Sequence, residues 1–440
     1  MGVTREFDSG IWWLHPGVVF GSAGVFLAFA AYLIPEATYR DFWRTPKFFD
    51  QGALGVTLAC VAVFAFGAFL GQAFLSRSVP RRDAAAAEAQ PWGLLAKLFQ
   101  VSFYLCLLGY ALWIGLAIQR GMTIGTALDI VLGEKGAMYD ARFTYLPTVG
   151  GVTTLTQFGT AAVIFGAILG FQQGWKEVRA KIGIVLGLAV LRAVLNSERF
   201  ALIELVVPFA ACCLALRPQA GKFARLILNL APPFGIAALF FLFTGFEYFR
   251  SWTNYYAGRD LSLWEFGATR LLGYYVTSFN NGAYFLSRLN PLNAPYFTLH
   301  FLWGFPLSSP IIKRLFPDPL LDSTDKWFYF PFLESDANVE FNNADGMLFP
   351  AMDFGVVGGL IYWLLIGILC GLIYALYQRR ELTGLLLYPV LYLGLLEIPL
   401  ALYWGEGRAF PSLCLLALTP IVIWFRRCLP TPSPAACEVP

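Results

Sequence analysis

Residues 195–204, LNSERFALIE, set Glu198, Arg199 and Glu204 within seven residues of one another, between apolar runs at 182–196 and 201–216. Two apolar runs joined by so short a link read as the paired halves of a membrane hairpin, its turn close to the membrane boundary. A charge at the centre of a span costs roughly 2.5–3.5 kcal/mol on insertion scales, so it faces a polar cavity or a partner and marks function. Glu198 and Arg199 are adjacent and Arg199 and Glu204 are five apart, so neither spacing gives the i,i+4 pair that would neutralise them locally. Their partners, and that of Arg192 in the same hairpin, come from other helices or from a charged ligand. An arginine that snorkels to the interface is the alternative.

The rest of the chain is also made for lipid. Of its 440 residues, 58% are hydrophobic and only 13% are charged, against about 25% charged in a soluble domain. A net charge of +3, with basic residues scattered through short loops, argues against a nucleic-acid partner. Ten runs have the length or character of spans: near 16–35, 52–75, 98–118, 150–171, 182–196, 201–216, 226–246, 350–377, 384–402 and 411–425. The first is expected to be a retained helix, because no small-residue cleavage site follows a short apolar core. Loops 76–97, 172–181, 217–225 and 378–383 carry twelve basic residues against four acids, whereas 36–51 and 119–149 are balanced. The basic set belongs in the cytoplasm, which puts both termini there as well. The eight cysteines then lie in spans or on the cytoplasmic side, as small apolar fillers. With no CxxC and only His15 and His300, no zinc site assembles, and no metal or other cofactor is expected.

The expected fold is all-α: a single polytopic membrane domain over 1–440, with one large extracytoplasmic loop at 247–349. Loops of that size usually carry function. Within it, Leu261, Trp264, Ala268, Leu271, Tyr275, Phe279 and Phe285 recur at helical spacing with Arg270 on another face, which predicts an amphipathic helix lying on the outer membrane surface. A proline-rich stretch follows, then an acid-rich segment of loop or short helices capped by Asp and Asn.

Several motifs mislead. The DFG at Asp353–Gly355 has no kinase motifs beside it, and neither DxD nor GxSxG occurs. The candidates that remain are the costly charges. The turn YWGEGRAFPS puts Glu406 and Arg408 among Gly405 and Gly407, where a guanidinium can reach an anion. Arg250, Arg259, Arg270 and Arg288 alternate with Tyr248, Trp252, Tyr274 and Tyr275, rings that suit sugar faces but also mark any membrane interface. His300 is a proton acceptor near neutral pH or an incidental loop histidine.

In NSERFALIE after a short fifth span, YFRSW and GATRLLGYYVTSFNNGAYFL opening the large loop, FNNADGMLFPAMDFGVVGGLIYWLLIGILCG re-entering the membrane, and GEGRAFPS near the end, the chain resembles the Wzy-type oligosaccharide repeat-unit polymerases. Family members often carry GTR or GSR where SER stands here, so Glu198 adds a carboxylate to that position. The resemblance implies a GT-C-like fold in the bacterial inner membrane and a nucleotide-free glycosyl transfer on the periplasmic side. The implied partners are polyprenyl-diphosphate-linked oligosaccharides, membrane lipid, a flippase and a chain-length regulator. On that basis Arg199 and Arg408 grip the diphosphate, Arg270 or Arg250 assists, and Tyr274 lies among the substrate contacts. A general base comes from Glu198, Glu247, Asp345, Glu406 or His300. An O-antigen ligase has a similar layout, and a lipid-linked sugar flippase is the non-enzyme alternative.

Overall fold

The computed structural model describes residues 11–78, 92–132, 134, 136–196, 198–217, 221–248, 251–252, 256, 261–305, 307–317 and 330–428. Among these residues all regular structure is helical. The main helices are α1 (Pro16–Leu33), α2 (Gln51–Ser78), α3 (Trp92–Gln119), α4 (Val152–Thr156 and Phe158–Gln173), α5 (Arg179–Asn196) and α6 (Phe200–Leu216). They are followed by α7 (Lys222–Asn229 and Ala231–Glu247), α8 (Leu263–Arg288), α9 (Phe349–Gln378), α10 (Leu382–Glu397) and α11 (Phe410–Cys428).

Five of these regions, α1, α2, α3, α4 and α9, are long and apolar enough to cross a membrane; α7, bent by 48° between its halves, makes a sixth if it counts as one span. α6, α10 and α11 are apolar but shorter. α5 carries Arg179, Lys181 and Arg192. A helix therefore occupies each of the ten apolar runs.

The second half of α4 is the centre of the larger bundle. Gly159 to Gly170 are buried without a break, packed by α3, α5, α6, α10 and α11. α1, α2, α8 and α9 form the other half, and α10 touches both. Tyr377 of α9 donates to the Ala211 carbonyl of α6 at 2.6 Å, one of several buried tyrosine hydroxyls that find a backbone acceptor instead of water.

α2 and α9 make the closest helix pair. Gly67 and Gly71 face Gly367 and Gly371, and a Cβ on Gly67 would lie 2.5 Å from the Leu364 carbonyl oxygen. A Cβ on Gly71 or Gly371 would overlap the carbonyl of Ile368 or Ala68. Paired small-xxx-small faces let backbones touch, which is how helices associate where lipid removes the hydrophobic drive between them.

α8 differs from its expected place. It starts at a capping box, with Glu265 N donating to Ser262 Oγ at 3.2 Å and Ser262 N to Glu265 Oε2 at 2.9 Å. Its second half is interior: every residue from Val276 to Phe285 is buried, and Arg270 is buried too, whereas Trp264 and Leu272 in the first half are exposed. The cause is in its small and amide residues. Asn280 accepts from the backbone N–H groups of Phe48 and Phe49, and Asn281 donates to the Phe341 and Asn343 carbonyls, so α8 holds two loops into the interior.

Leucine at Gly71 or Gly371 should push α2 and α9 apart at a cost of about 1–3 kcal/mol or more. The measurement is the melting temperature of the detergent-solubilised protein. Leucine at Gly21, which has open space around it, should leave the melting temperature close to that of the parent.

Candidate functional site

α5 ends at Asn196 and α6 begins at Phe200, so Glu198 sits on the link and Glu204 lies one turn into α6. Arg192, one turn before the end of α5, donates through Nε to Glu198 Oε2 at 2.7 Å and through Nη1 to Thr156 Oγ1 at 2.8 Å. Thr156 stands at the break in α4. Arg408 arrives from the turn between α10 and α11. Its Nε and Nη2 donate to the two oxygens of Glu204, each at 2.7 Å, and its Nη1 lies 2.9 Å from Glu198 Oε1. The Arg408–Glu204 pair is bidentate, the strongest geometry open to these groups. Burial alone would raise the Glu198 pKa, but Arg408 and Arg192 outweigh it and hold the carboxyl below its usual range.

Arg199 leaves the hairpin in another direction. Its Nη2 lies 3.4 Å from Oε1 of Glu247, the last residue of α7. Glu247 is fully buried and also accepts from Arg270 Nε and from Ser251 Oγ, both at 3.1 Å. Arg270 extends the chain by pairing through Nη2 with Glu340, on the short 3-10 turn Val339–Phe341. Aromatic faces line the pairs: Phe243 is 4.2 Å from the Arg199 guanidinium, Phe341 is 5.2 Å from that of Arg270, and Phe200 is 4.7 Å from that of Arg408. The ring of Tyr274 lies within 6 Å of both Arg199 and Arg270, at 5.9 and 5.8 Å.

Four guanidiniums and four carboxylates thus form two charge-balanced groups, Arg192–Glu198–Arg408–Glu204 and Arg199–Glu247–Arg270–Glu340, which adjoin at neighbouring Glu198 and Arg199. Arg199 and Glu204 do find their partners on other elements. No guanidinium of the four waits without an acid, so pairing within the protein already accounts for their burial. They differ in reach: the side chains of Arg192 and Arg270 are 7% and 5% exposed, those of Arg199 and Arg408 17% and 28%. The second pair is the more open to its surroundings.

The other candidates divide. Glu406, two residues before Arg408, is partly exposed, and its carboxylate makes no hydrogen bond or ion pair with any described residue. Burial raises its pKa to about 7, Arg408 opposing. His300 lies on the segment that packs against this turn: a Cβ on Gly405 would be 2.9 Å from the Thr298 carbonyl oxygen, and Phe301 stacks on Phe410 at 4.3 Å. Burial lowers the His300 pKa to about 4, so its imidazole is neutral near pH 7. Asp345 is not with the arginines. It is fully buried, accepts from Met347 N at 2.9 Å and serves as a turn lock. Arg250 and Arg259 lie outside the described residues.

Glu340 is the participant that the sequence reading missed; only its place in an acid-rich segment hinted at it. Asp353 of the discounted DFG has a structural task, accepting from the N–H groups of Phe297 and Thr298 at 3.0 and 2.8 Å and from the Thr298 hydroxyl at 2.7 Å. It anchors the segment that carries His300. A polar cavity of about 10 Å³, lined by Tyr110, Thr156, Gln157, Thr160, Arg192 and Glu204, lies beside the first arginine group and has room for about one water. Among the described residues no three His, Cys, Asp or Glu side chains gather as metal ligands would. No known family, no curated protein and no solved structure matches this chain.

Removing one partner of a buried pair costs about 3–5 kcal/mol, whereas an exposed pair is worth under about 1 kcal/mol. Glu204→Gln should therefore lower the melting temperature markedly, and Glu36→Gln, in the exposed Glu36–Arg40 pair, should not. Adding Arg408→Gln to Glu204→Gln should restore part of the loss, which a thermal double-mutant cycle reads directly.

Proposed function

We propose that this chain is a polytopic glycosyltransferase of the bacterial inner membrane that polymerises oligosaccharide repeat units carried on polyprenyl diphosphate. In this reading its ten helical segments all cross the bilayer in a GT-C-like arrangement. Residues 247–349 form the extracytoplasmic loop, and both termini are cytoplasmic. The reaction takes place at the end of the bundle where the arginines meet.

One observation carries the reading: partly exposed Arg199 and Arg408 stand at the same end of an apolar bundle, each backed by a buried arginine that shares its carboxylate. A departing lipid diphosphate is a multiply charged anion with oxygen pairs spaced like those of a carboxylate. It can take the place of Glu198 on Arg408 or of Glu247 on Arg199, each now a single contact, and make a forked pair of hydrogen bonds there. As the glycosidic bond breaks, charge grows on the leaving oxygen, and guanidiniums in a water-poor site stabilise that charge more than bulk water does. Arg192 and Arg270, nearly closed off, keep the carboxylates in place; this recasts Arg270 as support and not as a direct grip. Tyr274, lying between the two guanidiniums of the second group, offers a ring face to an incoming sugar.

Deletion of the gene should leave single repeat units on the carrier lipid, visible by mass spectrometry of extracted glycolipids. Arg199→Lys should shorten polymer nearly as much as Arg199→Ala, because an ammonium cannot reproduce the planar fork. Polymer of full length in either variant, at parental protein levels, would remove Arg199 from the mechanism. Long chains left undelivered on the carrier in the deletion strain would point to a ligase instead.

A further inference from the structure

We propose that Glu406 is the catalytic residue that takes the proton from the acceptor sugar's hydroxyl, an inference that rests on the polymerase reading. Every other carboxylate of the arginine assembly is committed. Glu198 serves two guanidiniums, Glu204 is held bidentate, Glu247 serves two and Glu340 one. A carboxylate in such a pair is a weak base, and protonating it would strand a guanidinium in a poorly solvated site. Glu406 is bound to none of them, yet lies two residues from Arg408, which the reading places on the leaving diphosphate.

The turn also fixes where Glu406 sits. Gly405 closes against the backbone oxygens of Phe297 and Thr298, at 3.0 and 2.9 Å from the position of a Cβ. Glu406 N donates to the Tyr403 carbonyl at 3.1 Å, and Ala409 N donates to the Glu406 carbonyl at 3.2 Å. Arg408 is the charged group that acts on it, Tyr403 precedes it on the turn, and His300 is carried by the segment packed against Gly405. His300 is neutral and Arg408 is already matched, so burial governs the carboxyl and raises its pKa to about 7, which suits a base that must accept and release a proton near neutral pH. Glu397, the rival without an ion pair, ends a helix of the bundle, where the charge of Glu204 acts on it.

In the step itself the acceptor O–H bond breaks, its proton goes to a Glu406 oxygen, and the hydroxyl oxygen bonds to the donor's anomeric carbon. The bond from that carbon to the diphosphate oxygen breaks with its electron pair, and the diphosphate leaves with the added negative charge. Glu406 then returns its proton to water or to the departing phosphate.

The test uses the full chain in proteoliposomes with synthetic polyprenyl-diphosphate repeat units, measuring chain extension from pH 5.5 to 8.5. The parent rate should climb with pH through about 7 and level off. Glu406→Gln should lose about a hundredfold or more and the acid limb with it. Glu406→Asp should keep the limb at a reduced rate, and Glu397→Gln should keep both. The assignment is overturned if Glu406→Gln stays within tenfold of the parent with its limb intact, or if Glu397→Gln abolishes the limb. Should Glu406→Gln fail to fold, a Glu406→Asp profile without the limb overturns it equally. In those cases the parent still polymerises and the functional reading survives; a parent that extends no chain sinks both.

Discussion

An arginine cannot be taken out of water alone. The effective penalty is several kcal/mol per ion, and it is recovered only when geometry and hydrogen bonds are both good. That constraint organises one end of this molecule. Arg192, Arg199, Arg270 and Arg408 come from four different places in the chain, and each requires a carboxylate that its own helix does not supply in register. Meeting that requirement brings the tip of the α5–α6 hairpin, the end of α7, the middle of α8, the turn at 339–341 and the turn before α11 to one spot. Glu198 and Glu247, each shared between two guanidiniums, are the nodes; losing either would disconnect two elements at once.

The apolar contacts supply the frame on which those charges can meet. The touching glycine faces of α2 and α9 leave no room for side chains between the backbones, so these two helices act as one rigid unit. α8 packs against α9 of that unit, against α1 and against α7, while α10 spans from it to the bundle around α4. Arg270 on α8 and Arg408 after α10 therefore reach the hairpin from two sides, held by contacts far from any charge.

What was legible in the sequence follows from length scale. Long apolar runs announce helices because the signal is a sum over about twenty residues, and each of the ten runs is helical. Local pairing rules also read truly: the absence of an i,i+4 partner for Arg199 and Glu204 meant partners on other elements, and Glu247 and Arg408 are those partners. Three-dimensional proximity was not legible. Glu340 lies 70 residues from Arg270 in sequence with nothing to connect them. The buried fate of α8 was misjudged because periodicity weighs apolar side chains, whereas Asn280 and Asn281 earned their interior places through backbone carbonyls and N–H groups that a pattern cannot see. The glycine spacing at 67–71 and 367–371 was visible, but the partners lie 300 positions apart.

Matched charges also bear on turnover under the proposed function. Bare guanidiniums in a low-dielectric pocket would hold a diphosphate tightly in the ground state, as product no less than as substrate, and binding that is equal in ground and transition states does not speed the chemical step. A resident carboxylate changes that balance. The diphosphate gains only the difference between its own hydrogen bonds and those of Glu198 or Glu247, and that difference is greatest when charge peaks on the leaving oxygen. When the lipid diphosphate departs, the carboxylate that Arg192 or Arg270 has kept in place would pair with the arginine again, so the arginine would not be left unpaired. The same acids that make the site look purely structural at rest would then be the reason it can release its product and accept another unit.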